Sequence, residues 1–144
     1  MKNLAVNKRA KFDYEIGDTL EAGLVLYGPE VKSIKQGQAS LKGSFIKVRD
    51  GEAYLHNVHI TPYKPANTSY LDPDRPIKLL LHRKQIGELS EKRQEGAVPV
   101  AMALKAIRGL IKLEVGIGRP RKLYDKRESL KKAQQEREIH RRLR

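Results

Sequence analysis

The distribution of charge along the chain limits its fold more than any other feature. Residues 1–118 hold 19 basic and 13 acidic side chains, whereas residues 119–144 hold 11 basic and 4 acidic ones. The latter stretch offers only Leu123, Tyr124, Leu130, Ile139 and Leu143 as strongly apolar side chains. So few cannot bury enough surface to offset the entropy of ordering it. Any core must therefore close within residues 1–118, and residues 119–144 read as a basic C-terminal tail.

From Asp125 onward the tail lacks Gly and Pro and is rich in Lys, Arg, Glu, Gln and Leu, which are good helix formers. Asp125 is a candidate cap. Glu128 with Lys132 and Glu138 with Arg142 form favourable i,i+4 pairs, each worth about 0.2–0.5 kcal/mol. A lone helix of this length is marginal in water. The expected tail is disordered when free and helical against an anionic surface; the plainer alternative is a solubilising tail.

A net charge of +13 over 144 residues calls for an anionic partner, with nucleic acid first and an anionic membrane surface second. Cysteine is absent, which excludes disulfides, thiolate catalysis and Cys-type metal sites. The start, Met1 to Arg9, has three apolar residues in a row and is no signal peptide. The longest nearly unbroken apolar run, Ala97 to Leu104, falls far short of the roughly 20 residues that span a bilayer. A soluble, cytoplasmic protein with no membrane association is expected.

Within the body, Leu20, Ala22, Leu24 and Leu26 alternate, so they share one face of a strand and Glu21 takes the other. Pro29 suits the first turn of a short helix over Glu30 to Gln36, with Val31 and Ile34 inward and Gly37 as its stop. Asp50-Gly51 between Ser44–Arg49 and Glu52–Val58 is a strong hairpin signal. Thr61 to Pro76 contains four prolines and reads as an irregular connection. Arg83 to Gln94 reads as a helix with Ile86 and Leu89 inward.

Val98, Val100, Met102 and Leu104 alternate, as do Ile111, Leu113, Val115 and Ile117, with Arg108-Gly109 near the turn between them. The second series places Lys112 and Glu114 outward. Leu79-Leu80-Leu81, if extended, splits Leu80 from its neighbours and leaves it either buried on a second face or exposed. About six short strands with two or three small helices, and no βαβ alternation, suggest a mainly β fold. An antiparallel barrel of the oligonucleotide-binding (OB) type leads, with a half-open sandwich as competitor.

Catalytic and metal motifs are wanting. His56 and His59 fall on opposite faces of one strand, without a third ligand at suitable spacing. Gly116-Ile117-Gly118-Arg119 is neither a dinucleotide fingerprint nor a P-loop. Asp72-Pro73-Asp74 reads as turn chemistry. What is present is a nucleic-acid footprint: basic residues with Phe12, Tyr14, Tyr27, Tyr54, Tyr63, Tyr70 and Tyr124 beside Lys or polar neighbours. For most of these rings packing is the ordinary role.

Six blocks then stand out. They are Asn7-Lys8-Arg9-Ala10-Lys11-Phe12-Asp13-Tyr14, Glu21-Ala22-Gly23-Leu24, Glu30-Val31-Lys32-Ser33, Asp50-Gly51-Glu52-Ala53, Lys78-Leu79-Leu80-Leu81-His82-Arg83 and Lys122-Leu123-Tyr124-Asp125-Lys126-Arg127. In this order, over about residues 7–132, the chain resembles the SmpB family, the bacterial SsrA-binding proteins of trans-translation. The resemblance implies an OB-type body with small helices and a tail unstructured in solution. It implies no enzymatic activity and no cofactor. It implies binding to the tRNA-like domain of transfer-messenger RNA and delivery to stalled 70S ribosomes, as a monomer alongside elongation factor Tu. The tail would probe the small-subunit decoding centre and the empty message channel, and the nascent chain would then be tagged.

Carried over by position, the RNA contacts implied are Asn7, Glu21, Leu80 and Lys112, with Lys8 and Arg9 on phosphate. In the tail the resemblance implies ribosomal contacts by Arg121, Lys122, Tyr124, Asp125, Lys126, Arg127, Lys131, Lys132, Arg137, Arg141 and Arg142, with Tyr124 stacking on a base. A carboxylate such as Glu21 either accepts base-amino or 2′-hydroxyl protons or orients a neighbouring cation. Two positions depart from the family pattern: Pro120 stands where Gly is usual, stiffening the junction, and Ala106-Ile107-Arg108-Gly109 replaces an aromatic-to-Asn-Gly hairpin. Two other readings compete: a generic single-strand-binding barrel, for which Glu21 would be dispensable, and a small nuclease, which lacks a site.

Overall fold

The computed structural model describes residues 2–62 and 74–121. In chain order the elements are β1 (Lys2–Val6), α1 (Ala10–Asp13), β2 (Tyr14–Leu24), α2 (Gly28–Lys35), β3 (Ala39–Ser40), β4 (Phe45–Arg49), β5 (Glu52–His56), β6 (His59–Ile60), β7 (Ile77–Leu80), α3 (Arg83–Gln94), β8 (Val98–Ile107) and β9 (Leu110–Pro120). Seven strands form one antiparallel sheet in the order β1-β8-β9-β2-β7-β5-β4, and β3 pairs with β6 separately. The sheet curls until β4 packs against β8. The result is the mainly β, antiparallel OB-type architecture with few helices that the alternation implies.

Turn chemistry sets the two long hairpins. Asp50 and Gly51 have φ of 53° and 74°, and Arg108 and Gly109 have 50° and 79°. Two successive left-handed residues match the right-handed twist of the flanking strands. α2 begins where Pro29 supplies a pre-set φ and the Glu30 carboxylate accepts the Tyr27 N–H at 2.9 Å. It ends at Gly37, whose φ is +77°. α3 covers the expected residues, with Leu89 buried and Ile86 half-buried.

The main core gathers Ala22, Ile34, Leu55, Val58, Ile77, Leu79, Leu104, Leu113 and Val115, among others, inside the curl. A second cluster lies on the other side of β8, where Ala10, Val100 and Met102 pack with Tyr14, Ile16 and Val98. The register of β8 against β9 shifts between Ala101 and Ala103. This bulge reverses the alternation. Val98, Val100 and Met102 therefore face α1, whereas Leu104 enters the main core. The four residues do not share one face, contrary to their simple alternation.

Other boundaries also differ from the sequence reading. Nine strands, rather than about six, occur among the described residues. β2 starts at Tyr14 because its first half pairs with β9 from Gly118 to Pro120, and it ends at Leu24 instead of Leu26. β9 continues past Gly118 to Pro120, which faces Tyr14. His56 and His59 do not lie on one strand: Asn57, with φ 59°, turns the chain between β5 and β6. His59 Nδ1 lies 2.9 Å from the Asp74 carboxylate.

Candidate nucleic-acid interface

Strand register places the implied contacts. Lys112 of β9 and Leu80 of β7 both pair with Gly23 of β2, one on each side, and Lys112 also pairs with Lys105 of β8, which faces Asn3. One row thus crosses five strands as Asn3–Lys105–Lys112–Gly23–Leu80. The adjacent row on the same face is Val6–Ala103–Glu114–Glu21. The intervening residues Ala22, Leu79, Leu104 and Leu113 fill the core, so both rows point outward.

Gly23 explains how the row is built. A Cβ there would stand 3.1 Å from Leu80 Cβ and 3.6 Å from Lys112 Nζ. The bare glycine lets an aliphatic side chain and an ammonium group close over one backbone position. Leu80 is 54% exposed, which decides between the two placements its sequence pattern allows. Lys105 forms an ion pair with Glu114, cancelling that carboxylate. Glu21 and Lys112 make no ion pair among the described residues. The surface therefore offers an apolar contact, a cation and a carboxylate acceptor within two rows.

Asn7 lies at the margin of this face. Its N–H donates to Met102 O at 2.8 Å and its side-chain Nδ2 donates to Ala101 O at 2.9 Å. The amide thereby ties the chain after β1 to the β8 bulge. Lys8 and Arg9 beside it are exposed, and Arg9 lies 3.5 Å from the Asp13 carboxylate. At the other end, Arg121 is fastened to the body: its N–H donates to Asp13 O at 2.9 Å, and its Nε to Lys11 O and Tyr14 O at 3.2 and 3.3 Å. Lys122, Tyr124, Asp125, Lys126, Arg127, Lys131, Lys132, Arg137, Arg141 and Arg142 lie outside the described residues, as do Tyr63 and Tyr70.

Further along the same face, Tyr54 pairs with Lys78. The Tyr54 hydroxyl donates to Glu52 Oε2 at 2.7 Å, and Lys78 Nζ to Glu52 Oε1 at 3.0 Å. The Tyr54 hydrogen bond, followed by Lys78, holds the Glu52 carboxyl below its usual range, and the same bonds push Lys78 and Tyr54 up. Among the described residues no three acidic or imidazole side chains are gathered to hold a metal. No helix among them is long and apolar enough to cross a membrane.

Three features escape the sequence reading. Gly23 lies within the Glu21-Ala22-Gly23-Leu24 block, yet its role appears only when its two neighbouring strands are known. Arg75 binds the buried Glu30 across 45 residues, a separation no local pattern reveals. Phe45 is exposed and stacks on His56, and its outward alternation with Ile46 and Val48 was the available signal.

Residues 4–144 match the family model described as SmpB protein. The chain is 50% identical over 141 residues to the SsrA-binding protein of Pelobacter propionicus (strain DSM 2379 / NBRC 103807 / OttBd1), covering 96% of this chain and 91% of that one. It is 49% identical over 141 residues to the SsrA-binding protein of Bacillus pumilus (strain SAFR-032), covering 97% and 90%. A solved structure, "tmRNA-SmpB: a journey to the center of the bacterial ribosome", contains a similar chain with TM-score 0.68 and 39% identity. That match covers 87% of this chain and 92% of the other.

Proposed function

The chain belongs to the SmpB family, and we propose that it binds the tRNA-like domain of transfer-messenger RNA and brings that RNA to stalled ribosomes. Residues of β2, β7 and β9 form the gripping face. The observation that carries this reading is the convergence of Leu80 and Lys112 over Gly23, with Glu21 on the next row of the same face. Lys112, Lys8 and Arg9 neutralise phosphates, which supplies affinity and makes it salt-dependent. Leu80 packs against an unstacked base or sugar, and Glu21 accepts a hydrogen bond from a base amino or 2′-hydroxyl group. Asn7 acts by holding the β1–β8 margin in place.

In this reading the protein works as a binding factor, without chemistry of its own, in the cytoplasm and as a monomer alongside elongation factor Tu. Residues 122–144 supply cations and Tyr124 to the decoding centre and the empty message channel. Arg121, hydrogen-bonded to Lys11, Asp13 and Tyr14, anchors the C-terminal end of the described residues.

A titration at fixed salt against the tRNA-like domain, bulk tRNA and single-stranded RNA tests the reading. Preference for the first is expected, and equal affinity for all three would favour a generic single-strand binder. Deletion after Arg121 should preserve RNA binding while abolishing tagging on stalled ribosomes; equal loss of both would contradict the two-part division.

A further inference from the structure

Beyond Lys78 the outward face continues onto the β4–β5 hairpin, which the proposed grip does not use. Across this ladder Phe45 pairs with His56, Lys47 with Tyr54, and Arg49 with Glu52. Ile46 is buried, so Phe45, Lys47 and Arg49 point outward. The Phe45 and His56 rings stack with centroids 5.1 Å apart and planes 6° from parallel. Phe45 is nonetheless 46% exposed, so the stack has an open side. Lys47, Arg49, Asp50, Glu52, Tyr54, His56 and Pro76 line a groove of about 410 Å³ beside it.

The groove carries two cations, Lys47 and Arg49, and two carboxylates, Asp50 and Glu52. Lys78 pairs with Glu52. Lys47 makes no ion pair among the described residues, and Arg49 makes only a loose, exposed one of 3.9 Å with Asp50. An open aromatic step rimmed by cations fits an unpaired nucleotide, whose base stacks while its phosphates meet the cations. The patch is also continuous with the Leu80–Lys112 row: Tyr54 faces Lys78, and Leu80 lies two residues further along β7. With strands about 4.8 Å apart and a rise of about 3.4 Å per residue, Phe45 lies roughly 17 Å from Leu80 across the sheet.

We propose that the Phe45–His56 step is a second contact for the RNA gripped by the Leu80–Lys112 face, holding one of its unpaired bases, with Lys47 and Arg49 on the flanking phosphates. This inference rests on the function proposed above. The test is an equilibrium titration of the full chain with tRNA-like-domain RNA across a salt series, with thermal unfolding of each variant as a control. Phe45→Leu keeps an apolar side chain but removes the ring, and should weaken binding roughly 5- to 100-fold, whereas Phe45→Trp should retain it. Lys47→Gln should reduce the slope of log affinity against log salt by about 1.

Lys112→Glu serves as the reference. If it leaves affinity unchanged, the proposed grip itself is wrong. If it weakens binding while Phe45→Leu and Lys47→Gln do not, the grip stands and the second contact is overturned. The second contact is likewise overturned if Phe45→Leu weakens binding to ribosomes but not to this RNA.

Discussion

Replacing Arg75 by Ala should leave the Glu30 carboxylate buried with half of its partners. Glu30 has a side chain only 6% exposed, and Arg75 one 22% exposed. The guanidinium donates from Nε to Glu30 Oε2 at 3.0 Å and from a second nitrogen to Oε1. It also donates to Val25 O at 3.2 Å and sits over the Tyr27 ring at 4.8 Å from its centroid. Breaking a buried pair from one side destabilises by about 3–5 kcal/mol, because the remaining charge is uncompensated. Glu30 keeps the Tyr27 N–H, so the lower end, about 3 kcal/mol, applies. At about 4 °C per kcal/mol for a domain of this size, the midpoint should fall about 12 °C. The assay is thermal unfolding by circular dichroism. The double variant Glu30→Met with Arg75→Met leaves no lone charge and should recover most of the loss. A fall below about 3 °C for Arg75→Ala would mean that the pair is worth no more than an exposed one.

Gly23→Ala should push Leu80 and Lys112 apart, because the new methyl would meet Leu80 Cβ at 3.1 Å; a loss of RNA affinity larger than the loss of stability is expected in paired titration and melting measurements. Gly116→Ala should destabilise by about 1–3 kcal/mol in urea unfolding, since its Cβ would lie 2.9 Å from Ile16 Cγ2 and 3.0 Å from Met102 Sδ. Tyr54→Phe removes the main cause of the lowered Glu52 pKa, so carboxyl NMR should show Glu52 titrating at higher pH. A carboxyl lowered in the folded state stabilises at neutral pH and loses that contribution as pH falls through its folded value. The variant should lack part of this acid-side loss, and an unmoved titration would deny the hydroxyl its role.

Local rules made much of the fold readable in the sequence. Asp50-Gly51 and the helix of Arg83–Gln94 carry their own signals, because left-handed turn residues and apolar periodicity act over a few positions. β1 has no such signal: a five-residue strand pairs with β8 about a hundred positions away. The β8 bulge was equally hidden, because alternation reads on unbroken while the backbone reverses its faces. At the site, Glu21 and Lys112 were legible as outward by alternation. Leu80 was not decided, because its exposure depends on what lies over β7. The glycine that joins Leu80 and Lys112 is a property of three strands together.

On the proposed function, RNA sits on the outward face of β2, β7 and β9. Amide and side-chain NMR of the labelled full chain, with and without one equivalent of the tRNA-like domain, addresses it directly. The largest changes should fall on Glu21, Gly23, Leu80 and Lys112, with core signals such as Leu113 following only weakly. Changes confined to other faces, with these four residues silent, would contradict it.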